Sequence, residues 1–366
     1  MDILALIQAN LLTPIVLFFI LGIVAARIKS DLRIPESISE FLPIYLLAAI
    51  GLHGGIEMRT TGLQSILVPM FVAIALSLIM TLYHYQILRR LGKFNIFDSY
   101  ALASTYGAVG AVTFSVGLSF LRNQNIESEG YIAAILAVLE PLAFILAIFL
   151  TNMAVSKQLQ VKKESIVKNE MNQSNSDEDF GIALEQNKTK LFTVLRESIT
   201  GKAIVILLGS IFIGYAIGEH GFEPIKLVFE DMFIAAIVVF LIEMGIIAGQ
   251  RLDDIKKGGV FLIGFALAMP TINGLIGVVV ATYLDISIGG SVMYGLLFAS
   301  ASFIAAPAVL RHTIPQAKPS LYITSALGIT FPYIIIILLP VMLTVSTFFH
   351  SFDGSIDLFD FLGVKI

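Results

Sequence analysis

Polar positions along most of this chain are too sparse for an amphipathic helix or an alternating strand. Two apolar blocks, roughly 10–154 and 202–348, flank the only long polar stretch. Within them, runs of about 18 residues carry almost no charge, the pattern of helices that are apolar all round and cross a bilayer. Charged residues, glycines and prolines divide the blocks into ten spans, at 10–26, 36–55, 64–88, 97–120, 130–154, 202–218, 227–249, 259–283, 287–310 and 320–348. The tenth is long and carries Pro332 and Pro340.

Landmarks recur between the blocks at a nearly constant spacing. Gly22 answers to Gly214 at an offset of 192, Gly51 and Gly55 to Gly245 and Gly249 at 194, and Pro141 to Pro332 at 191. A unit with an odd number of spans enters the membrane from the opposite side when repeated, which is the inverted-repeat plan of many secondary transporters. The predicted fold is an all-α membrane protein of ten transmembrane helices, a 5+5 inverted repeat with broken, crossing helices 4 and 9. Its parts are a first five-helix repeat (1–154), a cytoplasmic polar linker (155–201), a second repeat (202–348) and an outward-facing tail (349–366).

Composition sharpens this reading. Hydrophobic residues make up 57% and charged residues 14% of the chain, against about 25% charged in soluble domains. The absence of cysteine removes disulfides, thiolate metal sites and cysteine nucleophiles. Ahead of Arg27 there is no Lys or Arg, so the first helix lacks a basic n-region and is expected to persist in the mature protein. With the N-terminus outside, the ten-span count places 19 basic residues on the inner face and 4 (Arg59, Arg122, Lys226 and Lys365) on the outer. The positive-inside rule therefore puts both termini outside. The linker reads as a tether, or as a docking site for a cytoplasmic regulator. No metal-ligand spacing, nucleotide-binding glycine loop, nucleophile elbow or basic patch for nucleic acid is present, and no second carboxylate is spaced to work with Glu140 as an enzyme.

Small residues and proline in mid-span mark where irregular backbone can line a watery cavity. The fourth span carries Gly107-Ala108-Val109-Gly110-Ala111-Val112-Thr113, and the ninth Ala299-Ser300-Ala301-Ser302-Phe303-Ile304-Ala305-Ala306-Pro307. An offset of 191 lays Gly110 on Ala301 and Ala111 on Ser302. Crossing there could offer helix N-termini to an anion and freed carbonyls to a cation; close helix packing is the alternative. In a regular helix Gly107, Gly110 and Thr113 share one face, whereas Ser300 and Ser302 do not. Glu140, followed by Pro141, is an ionisable group at mid-membrane and a functional candidate by default; the alternative is a protonated acid holding a neighbouring helix. Glu243 has a weaker claim, and Glu57, His53 and His84 lie nearer span ends.

Several stretches together resemble the sodium-dependent bicarbonate transporters of cyanobacteria and their bacterial relatives. They are Pro307-Ala308-Val309-Leu310-Arg311-His312-Thr313-Ile314-Pro315, Lys318-Pro319-Ser320-Leu321-Tyr322-Ile323, Arg33-Ile34-Pro35-Glu36-Ser37-Ile38-Ser39, Ile50-Gly51-Leu52-His53-Gly54-Gly55 and Tyr106-Gly107-Ala108-Val109. The resemblance implies a bacterial inner-membrane symporter, often a homotrimer, that moves bicarbonate inward with sodium under control of a PII-like cytoplasmic protein. Carried over, Thr113, Ser300, Ser302 and Glu140 match the family's site in type. With the crossing read from the small residues, the expected substrate site is Gly107, Gly110, Thr113, Ser300, Ser302 and Phe303, and the expected cation site Glu140, Thr113 and Ser302, with no cofactor beyond the coupling ion. Two stretches depart from the family pattern. Gly110-Ala111-Val112-Thr113 stands for Ser-Gly-Ser-Thr, and Ala301-Ser302-Phe303 for Ser-Ser-Asp. Replacing an aspartate by phenylalanine removes a cation ligand and leaves two further readings open. One is transport of another small organic or inorganic anion, and the other a non-transporting sensor or anchor.

Overall fold

The computed structural model describes residues 3–140, 142, 146 and 202–351, apart from 253, 254, 305, 308 and 311–313. Among these, all regular structure is helical. The first block holds α1 (Ile3–Leu11), α2 (Pro14–Arg27), α3 (Glu36–Thr61), α4 (Leu63–Arg90), α5 (Ile96–Gly107), α6 (Ala111–Asn123) and α7 (132–140). The second holds α8 (Lys202–Phe222), α9 (Phe233–Arg251), α10 (Ile255–Tyr283), α11 (Ile288–Ala299) and a long, partly π-helical α12 (Pro319–Ser351). Seven described helices are long and apolar enough to cross a membrane, or eight if α1 and α2 count as one span bent by 58°. The chain is thus a multi-pass helical membrane protein. Nearly half of the expected fifth span lies outside the described residues, as do the linker and most of the expected C-terminal tail.

The boundaries differ from the sequence reading where breaks intervene. The first span begins earlier and bends at Leu12 and Thr13, because Pro14 takes the first position of α2 and starts a new helix there. The second runs on to Thr61 and the tenth to Ser351. The fourth and ninth are interrupted, leaving α11 only 12 residues long.

Two glycine crossings organise one bundle. A Cβ on Gly22 of α2 would overlap the carbonyl oxygen of Ile242 and lie 2.9 Å from Gly245 Cα on α9. A Cβ on Gly214 of α8 would overlap the carbonyl oxygen of Leu52 on α3, and one on Gly51 would sit 2.7 Å from Leu207 O. Small residues let membrane helices approach to backbone contact, where van der Waals packing replaces the hydrophobic drive that lipid does not supply. The glycines that recur between the two blocks thus sit at two close helix crossings, α2 on α9 and α3 on α8. The second bundle, α4–α7 and α10–α12, holds both interrupted spans, and α4 packs on α5 as α10 packs on α11.

Each interrupted span is anchored at its start. Asn95 caps α5 by accepting from Asp98 N, and Asp98 Oδ1 accepts from Lys318 N at 2.7 Å where α12 begins. Ser287 caps α11, and its N–H and hydroxyl both donate to the Glu129 carboxylate just before α7, at 2.8 and 2.9 Å. Proline inside α10 and α12 removes backbone donors. The carbonyl of Ala266, one turn before Pro270, instead accepts from Thr330 Oγ1 at 2.7 Å. Thr330 in turn bonds Tyr106 OH at 2.8 Å, which ties α5, α10 and α12 together through one hydroxyl pair.

Candidate functional site

The two interruptions touch. Helix α5 ends at Gly107 and α6 begins at Ala111, with Ala108 (φ −90, ψ 146) and Gly110 (φ −93, ψ 105) extended between them. Helix α11 ends at Ala299, and Ser300 is likewise extended (φ −74, ψ 160). Across the junction Gly110 N donates to Ser300 Oγ at 2.9 Å, and Ser302 N donates to Thr105 O at 2.9 Å. A Cβ on Gly110 would stand 3.0 Å from both Ala301 O and Thr113 Oγ1, so glycine keeps this approach open.

Because the backbone unwinds, the helical-face arithmetic does not apply here. Gly107 closes α5, where its carbonyl accepts from Ser77 of α4 at 3.2 Å, while Thr113 lies in the first turn of α6. Ser300 points at the first interruption. Ser302 turns back on its own chain and accepts from Ala306 N at 3.3 Å. Gly110, Thr113, Ser300 and Ser302 are all buried. Phe303 is buried as well, its ring edge-on to Phe331 of α12 at 5.2 Å, and Phe331 meets Phe19 of α2 at 5.5 Å. The ring therefore fills the seam between the bundles.

At each interruption a serine hydroxyl takes one backbone N–H. The first N–H groups of a helix have no partner within it and favour an anion. At α6 no side chain caps the helix, and Gly110 N is taken by Ser300, so the next N–H groups remain for a ligand. At the second interruption Ser302 Oγ takes Ala306 N in the same way.

Glu140 ends the described part of α7 and is 4% exposed. Its Oε2 has no hydrogen-bond partner among the described residues, and no hydrogen bond joins it to Thr113, Ser300 or Ser302. Glu243 is half-buried and accepts from Ser39 Oγ, holding α9 to α3. Among the described residues no cluster of His, Asp and Glu could hold a metal ion.

A cavity of about 510 Å³ opens between the bundles at the Thr61 end of α3, lined by His53, Gly54 and Glu57 of α3 and by Phe114, Leu118 and Arg122 of α6. It therefore reaches the residue that follows Thr113. Glu57 accepts from Gly130 N at its wall, and His53 Nε2 lies 3.5 Å from Glu230 Oε2.

Sequence reasoning passed over one deeply buried pair. His84, placed by the sequence near a span end where water would serve it, is fully buried, with Tyr83, Tyr106 of α5 and Phe265 of α10 packed around its ring. Its Nε2 is 2.9 Å from Asn273 Nδ2 on α10. The two positions are 189 apart, close to the repeat offset, and that spacing was the available signal.

The protein family described as the Na+-dependent bicarbonate transporter superfamily matches the chain over residues 14–347. No curated protein matches it.

Proposed function

The chain belongs to the Na+-dependent bicarbonate transporter superfamily, and from that premise we propose that it carries bicarbonate into the cell with sodium, by alternating access between its two helix bundles. The observation that carries this reading is the meeting of the interruptions, with Gly110 N on Ser300 Oγ and Ser302 N on Thr105 O. Substrate sites of secondary transporters are built where discontinuous helices cross near the membrane midplane.

In this reading bicarbonate binds at the start of α6, against the N–H groups after Gly110 and the hydroxyls of Thr113 and Ser300, with Gly107 leaving space. Sodium takes oxygens from Ser302, Thr113 and Glu140. Phe303 closes the site on its apolar side. The matched glycine crossings support the ten-helix 5+5 inverted repeat, and the basic residues support an orientation with both termini outside the bacterial inner membrane. The cavity beside Phe114 is then the outward entrance. A homotrimer and a PII-like partner at the cytoplasmic linker belong to the same proposal, on the resemblance alone.

Phe303 favours a second reading. A buried ring packed on Phe331 suits a small organic anion with an apolar part better than it suits a cation.

Purified protein in proteoliposomes tests both. Labelled bicarbonate uptake should rise with an inward sodium gradient, and Glu140→Gln should insert normally yet lose the sodium dependence. Uptake that ignores sodium, or a Glu140→Gln variant with undiminished sodium stimulation, would refute the coupling scheme. Failure of bicarbonate to accumulate, with uptake of an organic acid in its place, would select the second reading.

A further inference from the structure

Pro340 sits in the membrane-spanning α12 and has no N–H to give. In α-helical register that N–H would bond Ile336 O, and in the i→i+5 register of the adjoining π segment (Ile334–Leu338) it would bond Ile335 O. The side-chain amide of Asn10 serves both carbonyls, donating at 2.7 Å to Ile335 O and 3.3 Å to Ile336 O. Asn10 is 4% exposed and, with Leu6, forms the buried face of α1.

The two helices joined at the 58° bend have different neighbours. Helix α1 rests on the Ile334–Ser351 part of α12. Helix α2 lies along α9 through the Gly22–Gly245 crossing, in the other bundle. Between them are only Leu12 and Thr13, with Thr13 extended (φ −72, ψ 147) and its hydroxyl donating to Asn10 O at 2.8 Å. A proline-made gap in α12 is thus filled by a side chain whose helix is continuous with the opposite bundle.

We propose that Asn10 is a positioning residue for transport. It fastens α1 to α12, so that the Leu12–Thr13 bend is the joint across which the bundles shift. The attachment follows from the hydrogen bonds, and its role in transport rests on the alternating-access reading above.

Hydrogen–deuterium exchange on the full chain tests the attachment with no assumption about substrate. Asn10→Ala should speed exchange together at 3–11 and 334–339 while 14–27 is unchanged. Pro340→Ala supplies the missing N–H, so Asn10→Ala/Pro340→Ala should return both segments toward the wild-type rate. Unchanged exchange in Asn10→Ala, or equal loosening of α2, would overturn the proposal. In proteoliposomes Asn10→Ala should lower the maximal uptake rate at least about five-fold, the low end of what an unpartnered buried carbonyl costs, at unchanged KM for bicarbonate and sodium. The double variant should recover most of that rate. A raised KM at full rate would put Asn10 on the ligand's side and remove its positioning role. If Asn10→Ala does not insert, Asn10→Leu, which keeps the volume without the donor, replaces it. Wild-type protein that takes up no bicarbonate would sink the transport reading and leave the exchange result standing.

Discussion

Ser300 is the residue on which the crossing depends most directly. Its hydroxyl is the partner of Gly110 N, and both lie where water does not reach. Ser300→Ala leaves a buried N–H unpaired, at a cost of about 1–3 kcal/mol. Melting of the purified variant should show that loss, and bicarbonate KM should rise because α6 no longer holds its start. Ser300→Thr keeps the hydroxyl and should restore both. The sequence places Gly110 and Ser300 in two small-residue stretches that coincide in the repeat, and the structure brings the two residues together. It could not show that Ser302 bonds within its own chain, because that depends on backbone unwinding rather than helical spacing. His84 was misjudged for a related reason. Its burial comes from Tyr106 and Phe265 on neighbouring helices, which spacing along α4 does not reveal.

Among the helices, the prolines do more than bend. Thr330 supplies a hydroxyl to the Ala266 carbonyl that Pro270 leaves open, and Tyr106 OH completes the link to α5. In lipid such a carbonyl has no water to turn to. Thr330→Val should therefore destabilise the protein by about 1–3 kcal/mol in thermal or denaturant unfolding. Thr330→Val/Pro270→Ala should regain most of it, since alanine restores the bond along the helix. Equal loss in the single and double variants would show that Thr330 matters through packing alone. The helices themselves were largely legible, because uncharged runs this long have few alternatives. The bend at Leu12 and Thr13 was not, since a Thr-Pro pair in an apolar run reads equally well as the interior of a kinked span and as the start of a new helix.

For the molecule as a whole, the division into a bundle tied by glycines and a bundle holding both interruptions sets the mechanics. The first has backbones in contact at Gly22–Gly245 and Gly51–Leu207, so it has little room to shear. The second meets it at the Phe19–Phe331–Phe303 rings and at Gly54, where a Cβ would lie 2.9 Å from Gly130 O, and in the proposed alternating access these are the contacts that must shift. Charge placement in the sequence gave an orientation for this arrangement, and the chain's lack of cysteine makes it testable. Leu118→Cys, in the cavity wall, should be labelled in intact cells by a membrane-impermeant maleimide added outside. Labelling only after the cells are opened would reverse the orientation.

The cavity has a second consequence. Under the proposed repeat, the conformation not seen is the one seen, with the two halves exchanging parts. Carrying the lining across by the sequence offsets sends Ile50 to Met244, Gly54 to Ala248, Leu118 to Val309 and Ala133 to Thr324. Thr324 already holds a buried hydroxyl with no partner among the described residues. That oxygen is dry here and would be wetted when the opposite door opens, so the closed face carries the imprint of its own opening.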